Sequence, residues 1–338
     1  MPRCIDWQDN GVVLLDQTAL PHREVWLRID TADGLVDAIR RLAVRGAPAL
    51  GVAGAFGVAL AARAGGSPEA VEQAADRVRK ARPTAVNLGW GVDRALARLG
   101  DGADAVVAEA CAVLTEQVAC CQAVAERGAD LVEELVDTSA RRDPDGGPSL
   151  RVLTHCNTGW LACVEWGTAL GVVRVLHGRG RVAMVYADET RPLLQGARLT
   201  SYELAQMGVE HRVVVDAAGP TVLARGLADV VLVGADRVAA NGDVVNKIGT
   251  YPLALAAARA GVPFVVAAPE STLDLATATG AQIPIEERDP TEVLSFAGTA
   301  TAPDGVAAYN PAFDITPADL VTAIVTDRQV VRPAAGQR

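Results

Sequence analysis

The sequence predicts an α/β protein: a mainly helical N-terminal domain with a small β-hairpin, then a doubly wound, Rossmann-like parallel-sheet domain. Three observations carry that expectation. Five short apolar runs, at 151–154, 182–186, 212–215, 230–233 and 263–266, alternate with connections of helix length, the pattern of βαβ units. Before them, apolar residues recur at helical rather than strand spacing. Between the two textures lies SARRDPDGGPS at 139–149, whose proline, glycine and charge mark an interdomain linker. The expected division is therefore 1–140 for the helical domain and 150–338 for the sheet domain.

Taken in order, Ile5-Asp6-Trp7 and the apolar run at 12–15 flank Asp9-Asn10-Gly11, a hairpin signal. Thr31 can cap a helix that runs to Arg41 with Leu35, Ile39 and Leu42 on one face. The uncharged stretch 46–62 is interrupted by Pro48 and glycines and falls short of a membrane span, so it reads as a buried helix. Helices are expected over 68–81 and 88–99, with a break at 82–88, and one long helix over 103–136. In the second half, the run at 230–233 is apolar and β-branched throughout, as a strand buried on both faces requires. It stops at Gly234-Ala235-Asp236. Asn241-Gly242 then turns a short hairpin back to Asn246-Lys247, and Gly249-Thr250 opens a helix with Pro252 in its first turn.

Composition excludes several classes. Of 338 residues, half are hydrophobic and 21% are charged, which describes a globular protein with a sizeable core. A net charge of −10 argues against nucleic acid or an anionic membrane as partner. Aromatic residues, at 4%, are too few for base-stacking platforms. Met1-Pro2-Arg3-Cys4 is followed by Asp6 and Asp9 rather than by the apolar core of a targeting segment. The six cysteines show neither CxxC nor Cys/His ligand spacing, so the expectation is a reduced, cytoplasmic protein with no metal and no cofactor.

Chemistry is expected where polar residues follow strands, because open parallel sheets bind ligands at the carboxyl ends of their strands. Three strand ends qualify: Thr154-His155-Cys156-Asn157, Asp188-Glu189-Thr190-Arg191, and Asp236. Cys156 is expected at a helix N-terminus, where the dipole favours thiolate. His155 is its chain neighbour and points to the opposite face of a strand, which argues against a Cys-His dyad. Asp236, Lys247 and the helix opened by Gly249 together suggest a phosphate-ester site, although Asp236 taken alone reads more readily as a helix cap beside an Asn-Gly hairpin with no chemistry. In Arg45-Gly46 a guanidinium sits beside a residue that lets backbone approach a ligand, and Arg82 marks a second break with a cation. The remaining histidines, His22, His177 and His211, are expected to be structural, and Cys163 to pack.

Six stretches carry a family resemblance: RGAPALG at 45–51, RPTAVNL at 82–88, THCNTG at 154–159, ETRPLLQGARLTSYEL at 189–204, GADRVAANGDVVNKIGTYPLA at 234–254 and NPAFDITPADL at 310–320. Together they resemble the methylthioribose-1-phosphate isomerases of methionine salvage, within the fold family shared with regulatory subunits of the translation initiation factor exchange complex. The resemblance implies a homodimer that isomerises 5-methylthioribose 1-phosphate to the ketose. It implies Asp236 as proton donor and Cys156 at the reacting carbons, as a base or as a transition-state stabiliser. Arg45, Gly46, Ala47, Arg82, Gln195, Asn246 and Lys247 match the substrate-binding positions. Two other readings stay open: a ribose-1,5-bisphosphate isomerase, and a noncatalytic phosphate-sensing subunit.

Overall fold

The computed structural model describes residues 2–82, 85–137 and 149–333, arranged in two compact units. The first comprises Met1–Glu126 and Asn157–Gly171, the second Arg127–Cys156 and Val172–Arg338. The linker expected at 139–149 lies, apart from Ser149, outside the described residues. The units divide within two helices, after Glu126 and after Gly171, and immediately after Cys156.

In the first unit, β1 (Ile5–Gln8) and β2 (Gly11–Leu15) form the expected hairpin. Asp9 and Asn10 both take positive φ, which a two-residue turn of this hand demands. A third strand, β3 (Trp26–Ile29), adds to β2 and turns the hairpin into a three-stranded antiparallel sheet. That strand was not expected, because four residues including an exposed arginine are too short to display a period of two. Thr31 caps α1 (Ala32–Arg40), its hydroxyl accepting from Gly34 N–H at 3.1 Å. α2 (Ala47–Arg63) is buried from Pro48 to Leu60, which explains why it is uncharged and shows no amphipathic stripe. Around it lie α3 (Pro68–Arg79), capped by Ser67, and α4 (Val86–Leu96), which crosses α2 where Gly54 and Gly91 leave no space for a side chain. α5 (Ala103–Leu135) is the single long helix the periodicity implied; from Arg127 onward it counts with the second unit.

The second unit follows the chain through β4 (Leu150–Thr154), α6 (Ala169–Gly178, of which Val172 onward counts with this unit), β5 (Val182–Asp188), α7 (Ser201–Gln206), β6 (His211–Val214), α8 (Gly219–Ala224) and β7 (Val230–Val233). A short hairpin, β8 (Arg237–Ala239) and β9 (Val244–Lys247), precedes α9 (Thr250–Ala260) and β10 (Phe264–Ala267). β11 (Leu273–Asp274), α10 (Thr291–Leu294), β12 (Ser295–Phe296), β13 (Thr299–Ala300), β14 (Phe313–Thr316), β15 (Ala323–Val325) and β16 (Val330–Val331) complete it. The main sheet runs β16-β15-β10-β7-β4-β5-β6, parallel except for β16. Leu153, Val231, Val233, Phe264, Val266 and Ile324 form its buried core.

From β4 the chain winds outward through β5 and β6, then returns to β7 on the other side of β4 and continues to β10 and β15. Right-handed crossovers in opposite directions place their helices on opposite faces, so the sheet is doubly wound as expected. Strand order reverses between β4 and β7, the topological switch point at which such sheets bind ligands. A smaller sheet, β11-β8-β9-β14, is built on the β8–β9 hairpin that follows β7.

Candidate active site

The switch point carries the two residues singled out for catalysis. β4 and β7 pair in register with Thr154 opposite Leu232, and the Thr154 hydroxyl donates to the Leu232 carbonyl at 2.7 Å. Cys156 follows the end of β4 by two residues and Asp236 the end of β7 by three, both partly buried. Cys156 takes a φ of +63°, a left-handed conformation that a side chain adopts at a cost. Its backbone is held on both sides: its N–H donates to Thr190 Oγ1 at 2.9 Å, and its carbonyl accepts from Thr200 Oγ1 at 2.6 Å. Asp236 N–H donates to the Val245 carbonyl, which ties the acid to the β8–β9 hairpin.

One expectation about Cys156 is corrected. No helix starts behind it; the next one, α6, begins at Ala169, and the intervening stretch is irregular. The loop over 158–168 closes through Thr168 N–H to the Thr158 carbonyl at 2.8 Å, with Gly167 at a φ of +95°. The helix-dipole argument for a thiolate therefore does not apply. Cys4 is buried, with its thiol donating to the Leu161 carbonyl. Cys121 and Cys163 pack with Ala162 as core residues.

Beneath the switch point lies a buried polar group that the spacing did not foretell. His155 is 1% exposed, and both ring nitrogens are engaged. Nδ1 lies 2.9 Å from Asp188 Oδ2 at the end of β5, and Nε2 lies 2.7 Å from the Ile248 carbonyl. Burial works against charge on the ring, but the bond to Asp188 and the nearby Asp188 and Asp216 carboxylates prevail, raising its pKa. Burial likewise pushes Asp188 up, with His155 opposing. Asp216 turns its carboxylate to backbone instead, accepting from Thr190 N–H and Arg191 N–H, each at 2.7 Å. Ligand atoms of His155, Asp188 and Asp216 lie within 4.8 Å of one another, the spacing of a cation site. A cation there would have to displace the His155–Asp188 hydrogen bond.

The hairpin returns Asn246 and Lys247 as expected, both buried. Asn246 Nδ2 donates to Thr250 Oγ1 at 2.9 Å, and Lys247 Nζ donates to the Ala312 carbonyl at 2.9 Å while lying over the Phe313 ring. The N-terminus of α9, expected to receive a phosphate, is occupied by a side chain of this chain. Asp314 Oδ2 accepts from Gly249 N–H at 2.7 Å and Tyr251 N–H at 3.1 Å. Burial raises the Asp314 pKa, and those two N–H groups pull the other way. Asp314 sits in the NPAFD stretch, where its sequence position gave no sign that β14 would lie beside β9. Gln195, at the start of the turn into α7, is buried with no bond to its Oε1.

In the first unit, Arg45 is 8% exposed and grips Asn157: Nη2 donates to its carbonyl at 3.0 Å and to its Oδ1 at 2.9 Å. Asn157 was not foreseen as a partner, since the two are far apart in sequence. Gly46 has a φ of +92°, and a Cβ there would stand 2.5 Å from the Ala162 carbonyl oxygen, so the close approach expected of this glycine is made to protein backbone. Ala47 opens α2. Arg82 is partly buried, and Pro83 and Thr84 of the same motif lie outside the described residues.

Comparison with known proteins agrees with the fold. The model of the Initiation factor 2 subunit family matches residues 43–333. A probable bifunctional methylthioribose-1-phosphate isomerase/methylthioribulose-1-phosphate dehydratase of Nocardia farcinica is 56% identical over 97% of this chain, which spans 58% of that longer protein. A methylthioribose-1-phosphate isomerase of Anaeromyxobacter sp. (strain K) is 55% identical, covering 95% of this chain and 91% of its own length. Among solved structures, the 5-methylthioribose 1-phosphate isomerase of Pyrococcus horikoshii superposes with a TM-score of 0.88 at 38% identity, over 99% of this chain and 93% of that one. A chain titled translation initiation factor eIF-2B, subunit delta, from A. fulgidus reaches 0.85 at 41% identity, over 99% and 97%.

Proposed function

The chain belongs to the Initiation factor 2 subunit family, and from that premise we propose that it is a sugar-phosphate isomerase. It converts 5-methylthioribose 1-phosphate to 5-methylthioribulose 1-phosphate, an aldose-to-ketose step of methionine salvage. The observation that carries this reading is the 55% identity to a methylthioribose-1-phosphate isomerase across 95% of this chain and 91% of that protein.

The reaction is internally balanced, since C2 is oxidised as C1 is reduced, and it needs no external oxidant or redox cofactor. Phosphate on the anomeric oxygen prevents the ring from opening as a free hemiacetal, so an acid must protonate the ring oxygen. In this reading Asp236 supplies that proton, the ring C1–O bond breaks, C1 gains hydrogen, C2 loses it, and the C2 hydroxyl proton leaves as the ketone forms. Cys156 acts at those two carbons. Arg45, Gly46, Ala47, Arg82, Gln195, Asn246 and Lys247 bind the substrate, the cations taking the phosphate through charge-assisted hydrogen bonds. The placement of Cys156 and Asp236 at the ends of adjacent strands flanking the switch point supports the catalytic pair.

The same reading takes the protein as a cytoplasmic homodimer. All six cysteines are free, as a reducing compartment requires, and among the described residues no helix is long and apolar enough to cross a membrane. A second reading, a binding subunit without turnover, is favoured by the likeness to the A. fulgidus chain. Purified protein assayed with 5-methylthioribose 1-phosphate and with ribose 1,5-bisphosphate separates them. Ketose formation from the first sugar in large preference to the second is the expected result. Preference for the bisphosphate would move the substrate assignment, and no turnover of either would overturn the enzyme.

A further inference from the structure

Cys156 reaches its position through one buried neighbour. His155 is enclosed, and its ring bridges two segments that are distant in sequence: the end of β5 through Asp188 and the β9–α9 turn through the Ile248 carbonyl. A carbonyl only accepts, so Nε2 carries a proton and the ring's orientation is defined by that bond. The turn is pressed against the ring. Gly249 has a φ of +106°, and a Cβ there would stand 2.6 Å from His155 Cε1. That turn follows Asn246 and Lys247 directly. The Asp188–Thr190 segment also holds the Cys156 backbone, because Thr190 Oγ1 accepts from Cys156 N–H and donates to the Asp188 carbonyl at 3.1 Å.

We infer that His155 is a positioning residue, whose ring, clamped between Asp188 and the Ile248 carbonyl, sets the strained backbone of Cys156 in register with the turn carrying Asn246 and Lys247. The inference rests on the proposed role of Cys156. Nothing in it asks His155 to touch substrate or to take a proton from the thiol, and the geometry turns the ring away from such a role by committing both nitrogens elsewhere.

Three variants test it. In Asp188→Asn the amide can donate to Nδ1 of a neutral ring, so both ring bonds persist without the carboxylate. In Asp188→Ala the Nδ1 bond is lost and the ring is free to turn. His155→Gln keeps one donor for Ile248. A misplacement of about 1 Å is worth on the order of 10²-fold in turnover. Asp188→Ala should therefore lose roughly 10–100-fold in kcat, with KM for 5-methylthioribose 1-phosphate changed far less. Asp188→Asn should retain at least about tenfold more turnover than Asp188→Ala, and His155→Gln should lie between Asn and Ala.

Nitrogen-15 NMR provides the readout that general loosening would not give. A slowly exchanging Nε2–H signal should be present in the wild type and in Asp188→Asn and be lost in Asp188→Ala. If the Asn and Ala variants are equally impaired, or if Asp188→Ala keeps wild-type kcat with the ring signal gone, the positioning role is wrong. Cys156→Ser is the parallel control, since normal turnover in that variant refutes the role of Cys156 itself, whatever the Asp188 pair shows.

Discussion

Replacing Gly46 by alanine tests the backbone geometry that places Arg45, and its cost can be built from two separable parts. The first is conformational: φ of +92° with ψ of 137° is a region that residues with a Cβ avoid, at about 1–3 kcal/mol. The second is steric. The new Cβ would stand 2.5 Å from the Ala162 carbonyl oxygen and 2.6 Å from its Cβ, and overpacking of this kind costs about 1–3 kcal/mol. The same carbonyl accepts from Ala49 N–H at 3.1 Å in the first turn of α2, so the loop cannot retreat without losing that bond.

The sum, roughly 2–6 kcal/mol, is a large share of the ~5–15 kcal/mol that stabilises an ordinary domain. Two other glycines isolate the parts. Gly65 has a φ of +70° with nothing near its Cβ direction, so Gly65→Ala should cost only the backbone component, about 1–2 kcal/mol. Gly100 is unstrained with nothing within 4 Å, and Gly100→Ala should stay within about 0.5 kcal/mol of wild type. Urea unfolding followed by circular dichroism gives all three. A Gly46→Ala no less stable than Gly65→Ala would mean that the contact with Ala162 has no energetic weight and that Arg45 is not held from that side.

Four further outcomes are expected. Asp236→Asn removes the transferable proton with little change in shape and should lower kcat by at least ~10²-fold; near-normal turnover would take Asp236 out of the mechanism. Cys156, half-buried beyond the end of its strand, should be alkylated and protected by substrate, whereas buried Cys4, Cys121 and Cys163 should resist in both conditions, as peptide mapping can show. Exhaustive chelation should leave turnover unchanged; a loss restored by one divalent metal would make the His155, Asp188 and Asp216 group a cation site after all. Because the His155 pKa is raised above 6.5, the stability it contributes is full below that value and is lost as pH rises through the folded one. The stability gap between wild type and Asp188→Asn should therefore narrow as pH rises above 6.5, and a constant gap would refute the charged pair.

Residues distant in the chain explain why part of the site could not be read in advance. Arg45 and Asn157 were both in recognisable stretches, yet their hydrogen bond depends on how the first unit packs. The helix terminus at Gly249 was correctly placed, and the anion it receives was not, because Asp314 arrives on β14, a strand that pairs with β9 only after folding. Cys156 followed its strand as expected, but the helix thought to polarise it was absent. Local patterns place strand ends and turns; they carry no information about which of two nearby anions takes a set of backbone donors.

The sequence by itself determined the order of the longer elements. Periods of 3.6 and 2 residues, the Asn-Gly turn and the caps are properties of neighbours along the chain, and they placed α1, α2, the long α5, the first hairpin and the strand leading to Asp236. It also placed Cys156 and Asp236 beyond the ends of their strands and Lys247 on the return arm of the β8–β9 hairpin. Tertiary structure alone decided that β4 and β7 are neighbours, that His155 is shared between Asp188 and Ile248, and that Gly46 packs against Ala162. Those are choices among partners far apart in the chain, settled by burial, which leaves a polar group at heavy cost unless it finds a partner and leaves room for no side chain where two backbones meet.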